Sequence, residues 1–144
     1  NFIIGDLKRR RLVPITSNEI QKNKLLRNPF NHMTVVFKKN YIIRSGGYKD
    51  MPGYEDHYLW LRLLKNGKGL NIYDNLVYAR VGNNLLSRRR GIEFFLKEFN
   101  FQKTLFYENH LSLFQFINNV ILRCIPRLFP KWLLSYVYKK FLRK

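Results

Sequence analysis

Two adjacent carboxylates, Glu55 and Asp56, open the stretch GYEDHYLWLRLLKNG at residues 53–67. Behind them Tyr58, Leu59, Leu61, Leu63 and Leu64 supply an apolar face that predicts a helix from Glu55 to Lys65, ended by Asn66-Gly67. Acidic residues in a first helical turn are favoured by the macrodipole and by unpaired backbone N–H groups, so a cap and a charge is the plain reading of the pair. A chemical reading is also open. A carboxylate held by backbone N–H groups stays ionised near neutral pH and points its oxygens outward. It can then take a proton from a hydroxyl as that hydroxyl attacks an electrophilic carbon. Asp56 is the candidate base, and Glu55 the candidate to orient it or to bind the acceptor.

The elements that must position this pair follow from pattern. Thr16-Ser17-Asn18 can cap a short helix over Glu19 to Arg27. Asn28-Pro29-Phe30 breaks the chain, and the β-branched run Met33 to Phe37 reads as a buried strand. A short helix over Asn40 to Ser45 is closed by Gly46-Gly47. After the main helix, strands are expected around Leu70 to Tyr73 and Leu76 to Val81, separated by Asp74-Asn75. Ser87 to Gly91 is a basic loop, and helices are expected over 92–108, 111–123 and 131–143, the last begun by Pro130. This order predicts an α/β chain: a short mixed sheet plus helices over 1–91, and a basic helical appendage over 92–144.

With 27 Lys and Arg against 9 Asp and Glu, the net charge is +18, and the excess is spread along the whole chain. Such a field favours anionic partners: nucleic acid, a lipid headgroup layer or a phosphorylated substrate. At 46% hydrophobic and 16% aromatic residues, the composition is that of a folded domain. Cys124, the one cysteine, rules out an intrachain disulfide and is expected to be a small buried apolar residue in a reducing interior. The sequence begins NFIIGDLKRR, with no initiator Met and no secretory signal, as if cut from something longer. The uncharged run from Asn109 to Leu122 is shorter than the roughly 20 residues of a spanning helix.

The ordered segments NPFNHMTVVFKKNYIIRSGGYKD, GYEDHYLWLRLL, NGKGLNIYDNLVYARVG and SRRRG resemble the second half of family 2 glycosyltransferases of the GT-A fold. The likeness is greatest to those that assemble capsular and other bacterial surface polysaccharides. It covers residues 28–91 closely and the C-terminal helices loosely. It implies a partial, Rossmann-like GT-A fold in which the nucleotide-binding half is missing. It also implies an inverting transfer of sugar from a nucleotide-sugar donor to a glycan or lipid-linked acceptor, with Asp56 as general base. Asn31 and His32, just before the expected strand, would contact donor or acceptor hydroxyls, although a hydrogen-bonded histidine at a strand start is an equal reading of His32. Arg88 and Arg89 would meet the donor pyrophosphate, since guanidinium groups bind phosphate oxygens bidentately. Family members carry an Asp-x-Asp motif for Mg²⁺ or Mn²⁺ in the other half. No Asp-x-Asp occurs here, so this chain is expected to hold no metal and to be inactive alone. His57 stands where an aromatic such as Tyr is expected.

In the tail, Trp132, Leu133, Leu134, Val137 and Phe141 alternate with Lys131, Lys139, Lys140, Arg143 and Lys144, a pattern that suits an anionic membrane surface or packing on the domain. The expected location is therefore cytoplasmic and peripheral, at the inner face of the bacterial membrane. Two other classes compete: a non-catalytic membrane-associated scaffold, and a basic nucleic-acid-binding module. For the second there is no helix-turn-helix, zinc spacing, RNP-like strand or Gly-x-x-Gly clamp, and no specific nucleic acid is expected.

Overall fold

The computed structural model describes residues 2–4, 7–9, 12–74, 76–80, 90–130 and 133. The chain divides into two units, Asn1–Gly82 and Asn83–Lys144.

In the first unit, Thr16 caps α1 (Ser17–Asn23): its side chain accepts from the N–H of Glu19, and the Glu19 carboxylate accepts from the N–H groups of Thr16 and Ile15. This reciprocal pairing starts the helix two residues earlier than the apolar pattern alone suggests. α2 (Lys39–Arg44) ends as expected at Gly46 and Gly47, both in the left-handed region (φ 80° and 64°). Their N–H groups return to the carbonyls of Ile43 and Ile42. α3 (Glu55–Asn66) is the spine of the unit, buried on all sides over His57, Tyr58, Leu59, Trp60 and Leu61 and again at Leu64. Leu59, Trp60 and Leu64 of α3 pack with Ile20 of α1, and Phe30, Val35, Ile42 and Leu63 close around them. Burial of this cluster is what holds α1, α2 and the 28–37 segment onto α3.

Polar ties fix the register of these pieces. The buried His57 donates from Nε2 to the Lys24 carbonyl at 2.6 Å, joining α3 to the end of α1. From α1, Gln21 and Lys24 donate to the Leu64 carbonyl in the last turn of α3. Asn71 Nδ2 donates to the carbonyls of Pro14 and Pro29 at 2.6 and 2.9 Å, pinning two loops at once.

The expected α/β core with its short mixed sheet is corrected by this architecture, which is predominantly helical. Among the described residues sheet pairing is confined to strands of two or three residues: β1 (Phe2–Ile4) lies between β2 (Leu7–Arg9), antiparallel, and β3 (Ala79–Arg80), parallel. Two of these strands come from the basic N-terminal stretch, for which no strand is expected. Residues 33–37 form no strand. His32–Thr34 is a single 3₁₀ turn, after which Val35 and Phe37 face the core while Val36 is 98% exposed. The β-branched apolar run is present, but a strand also needs a partner backbone, and none pairs here among the described residues. Leu70, Ile72, Tyr73 and Leu76 are likewise exposed and outside any ladder.

In the second unit, α4 (Ile92–Tyr107) starts after Gly91 and buries Glu98, Phe101, Gln102 and Leu105. Ser112 caps α5 (Leu113–Asn119) with a second reciprocal Ser–Gln pair. The expected single helix over 111–123 instead changes winding after Asn119: a π-helical turn covers Val120–Cys124 and a 3₁₀ turn Ile125–Leu128. Pro126 has no N–H to donate, so the regular ladder cannot run through it. The expected helix over 131–143 lies outside the described residues apart from Leu133.

Candidate functional site

The site is assembled at the N-terminus of α3 by the 28–32 turn and the Gly46–Gly47 turn. Asn28 precedes Pro29, and its Oδ1 accepts from the Phe30 N–H at 3.1 Å, a local turn that fixes the side chain. The other end of the same amide, Nδ2, donates to Asp56 Oδ2 at 2.9 Å. Asp56 Oδ1 accepts from the N–H of His57 at 2.6 Å. Both carboxylate oxygens are therefore held, while the side chain keeps 24% exposure. A charge-assisted bond of this kind is stronger than a neutral one.

His32 Nδ1 lies 4.0 Å from Asp56 Oδ2, on a ring that is 59% exposed. The ring stands beside Tyr48 (centroids 5.7 Å apart) and near Trp60 (6.3 Å). Trp60 is one helical turn after Asp56 and nearly fully buried; Phe30 packs edge-on against it at 5.8 Å and Phe37 at 6.1 Å. It is a floor beneath the site and offers no face to a ligand.

The other wall is set by Arg62. Its guanidinium donates to the carbonyls of Ser45 and Gly47 at 2.5 and 2.6 Å and lies over the Tyr58 ring at 4.8 Å. This clamp ties the end of α2 to α3 and presents Tyr48, half exposed, beside Asp56. The Tyr48 hydroxyl is pushed above its ordinary pKa, first by burial and then by the Asp56 charge.

Of the residues singled out in the sequence, Asp56 and His32 are brought together. Glu55 is exposed, and its Oε1 accepts from the Gly53 N–H at 3.1 Å, which ties it to the loop before the helix. Asn31 caps the 3₁₀ turn through its carbonyl, which accepts from the Thr34 N–H and hydroxyl. Arg88 and Arg89 lie outside the described residues. Two participants were not anticipated, Asn28 and Tyr48. The Asn-Pro pair was a legible signal for an Asx turn, but nothing local tied its amide to a carboxylate 28 residues away. Among the described residues no three His, Cys, Asp or Glu side chains come together as a metal cage.

Comparison with known proteins gives the site a context. Over 142 residues, 98% of its length, the chain is 41% identical to an uncharacterized glycosyltransferase of Haemophilus influenzae. It is 40% identical, over 99% of its length, to the UDP-Gal:alpha-D-GlcNAc-diphosphoundecaprenol beta-1,3-galactosyltransferase of Escherichia coli. It is 32% identical, over 92%, to the amylovoran biosynthesis glycosyltransferase AmsE of Erwinia amylovora. The chain spans about half the length of these relatives, 52%, 52% and 50% in turn. No family model matches it, and no solved structure gives a significant match.

Proposed function

We propose, from the premise that this chain is a homologue of bacterial polysaccharide-synthesising glycosyltransferases and spans about half of one, that it carries the base and acceptor surface of such an enzyme. The whole protein transfers a sugar from a nucleotide-sugar donor to a hydroxyl of a lipid-linked glycan. One relative is named for a diphosphoundecaprenol-linked acceptor, and this supports the acceptor class.

The observation that carries the reading is the Asp56 carboxylate. It sits in the first turn of a helix, is anchored by Asn28 and by backbone, and remains partly open beside His32 and Tyr48. In the step proposed, Asp56 takes the proton of the acceptor hydroxyl while the hydroxyl oxygen forms a bond to the anomeric carbon. The bond from that carbon to the diphosphate breaks, and its electron pair leaves with the nucleoside diphosphate. Attack from the face opposite the leaving group inverts the anomeric centre. Asn28 keeps the carboxylate aimed, and Glu55, His32 and Asn31 contact the acceptor. Arg88 and Arg89 contact the donor pyrophosphate. Any Mg²⁺ or Mn²⁺ would be held by residues other than those described, and no step here runs through it. The work is placed at the cytoplasmic face of the cell membrane, and the chain by itself is inactive.

The test is transfer by the whole protein, with a panel of nucleotide sugars and membrane extract, and by the Asp56→Asn variant. A general base contributes about 10²- to 10⁴-fold, so a loss of that size with unchanged folding is expected. Full activity in Asp56→Asn would remove the base assignment.

A further inference from the structure

Tyr48 follows the Gly46–Gly47 turn, and its backbone is held from α3, because Arg62 donates to the carbonyls of Ser45 and Gly47 on either side of that turn. The ring itself is not spent on the core: it is 46% exposed. Its neighbour is the His32 ring, 5.7 Å away and tilted by 31°, also open to solvent. Among the described residues neither the Tyr48 hydroxyl nor the His32 ring nitrogens have a hydrogen-bond partner; His32 Nδ1 faces Asp56 Oδ2 at 4.0 Å. Trp60, beneath, is nearly fully buried and has no surface to give, so the open aromatic area beside Asp56 comes from Tyr48 and His32. An open ring with an unspent hydroxyl on a clamped backbone is the construction of a ligand contact, since a site is made precise by fixing what carries it.

The chemistry of this corner names the ligand. A pyranose has an apolar face of C–H groups and a rim of hydroxyls. A tyrosine offers the matching pair, an apolar ring and a polar tip. The Asp56 carboxylate beside it accepts from a hydroxyl and repels an anion, and its charge already reaches the Tyr48 hydroxyl. The ring therefore meets an uncharged sugar and not the diphosphate of the donor. We propose that Tyr48 is the platform on which the acceptor's sugar ring lies, with His32 at its edge, so that the attacking hydroxyl is presented to Asp56. This rests on the reading of Asp56 as the base of a glycosyl transfer and adds to it the residue that selects and orients the acceptor. Such a contact is made in the ground state and in the transition state alike, so its loss shows in the acceptor dependence of the rate and not in the maximal rate.

The test is saturation-transfer nuclear magnetic resonance on the full chain, irradiating its aromatic protons in the presence of a panel of methyl hexosides and methyl N-acetylhexosaminides. Transfer to the C–H protons of at least one glycoside is expected. Tyr48→Phe should keep it, and Tyr48→Leu should weaken binding on the order of 10-fold. Each variant is compared at unchanged circular dichroism, with Tyr48→Gln in place of Tyr48→Leu where the latter disturbs folding. Asp56→Asn should keep the transfer, because stacking needs no base. In the whole protein, Tyr48→Leu should raise the membrane extract needed for half the maximal rate by about the same factor. The nucleotide-sugar dependence should stay as it is. No transfer to any glycoside would overturn the inference, and so would transfer that Tyr48→Leu leaves intact. A loss confined to the nucleotide-sugar dependence would place the donor on this ring and likewise overturn it. Full activity of Asp56→Asn would remove the base and leave the ring contact to be decided by the resonance experiment, so the two readings fail separately.

Discussion

Replacing Glu98 by Gln keeps the side chain's size and removes one charge from a fully buried position. The carboxylate accepts from Arg123 Nε at 2.9 Å, Arg127 Nη2 at 3.2 Å and Gln102 Nε2 at 3.0 Å. In the variant one oxygen becomes an NH₂ group, a donor facing donors. Two guanidinium groups, at 14% and 16% side-chain exposure, lose their counter-charge. Stranding one side of a buried pair costs about 3–5 kcal/mol. Because water reaches both arginines at the edge, the lower figure of about 3 kcal/mol is expected. For a chain of this length that lowers Tm by roughly 10 °C. Thermal and urea unfolding followed by far-ultraviolet circular dichroism measures it. Arg127→Met, made alone and in the Glu98→Gln background, completes a cycle. If the penalty is a stranded charge, Arg127→Met should be less costly in the variant than in the wild type by about 1 kcal/mol or more. A Glu98→Gln change within about 0.5 kcal/mol of wild type, or a cycle with no coupling, would refute the reasoning.

Other consequences can be measured in the same chain. The Tyr48 phenol should titrate above an ordinary tyrosine, read as the ultraviolet difference between wild type and Tyr48→Phe. Asp56→Asn should bring it down only in part, because burial is the larger cause. The Cys124 thiol is pushed up to about 12, by burial first and by the Glu98 charge second. The buried thiol should therefore resist iodoacetamide in the native chain at mildly alkaline pH and react fully in urea. Since the folded chain holds this proton more tightly, the stability it contributes is whole below the unfolded value near 9. It declines as pH rises from there towards about 12. A Cβ at Gly69 would meet Phe30 Cζ at 2.6 Å and Leu64 Cδ2 at 3.3 Å. Gly69→Ala should thus displace the ring that packs on Trp60 and cost about 1–3 kcal/mol by urea unfolding.

The helices and their caps were legible because they are local. The 3.6-residue spacing after Glu55, the cap in Thr16-Ser17-Asn18 and the Gly46–Gly47 stop each act within a few residues of chain, and the structure has a helix, a cap at Thr16 and a stop there, although α1 ends at Asn23 and not at Arg27. The same locality explains the misreading of residues 33–37, whose β-branched apolar run is real but whose strand requires a second backbone that the sequence pattern does not contain. Asp56 was a candidate in the sequence through the acidic pair taken together with the family resemblance of the segments around it, the pair alone reading as a cap. Its setting was not: Asn28, His32, Tyr48 and the Arg62 clamp converge on it from turns that packing on Trp60 brings together. In the second unit, composition revealed a basic, apolar tail, yet only the tertiary structure decided which face turns outward. One buried carboxylate, Glu98, draws Arg123 and Arg127 inward, because a charge removed from water must be paired, while Ile117, Ile121 and Leu122 stay half exposed.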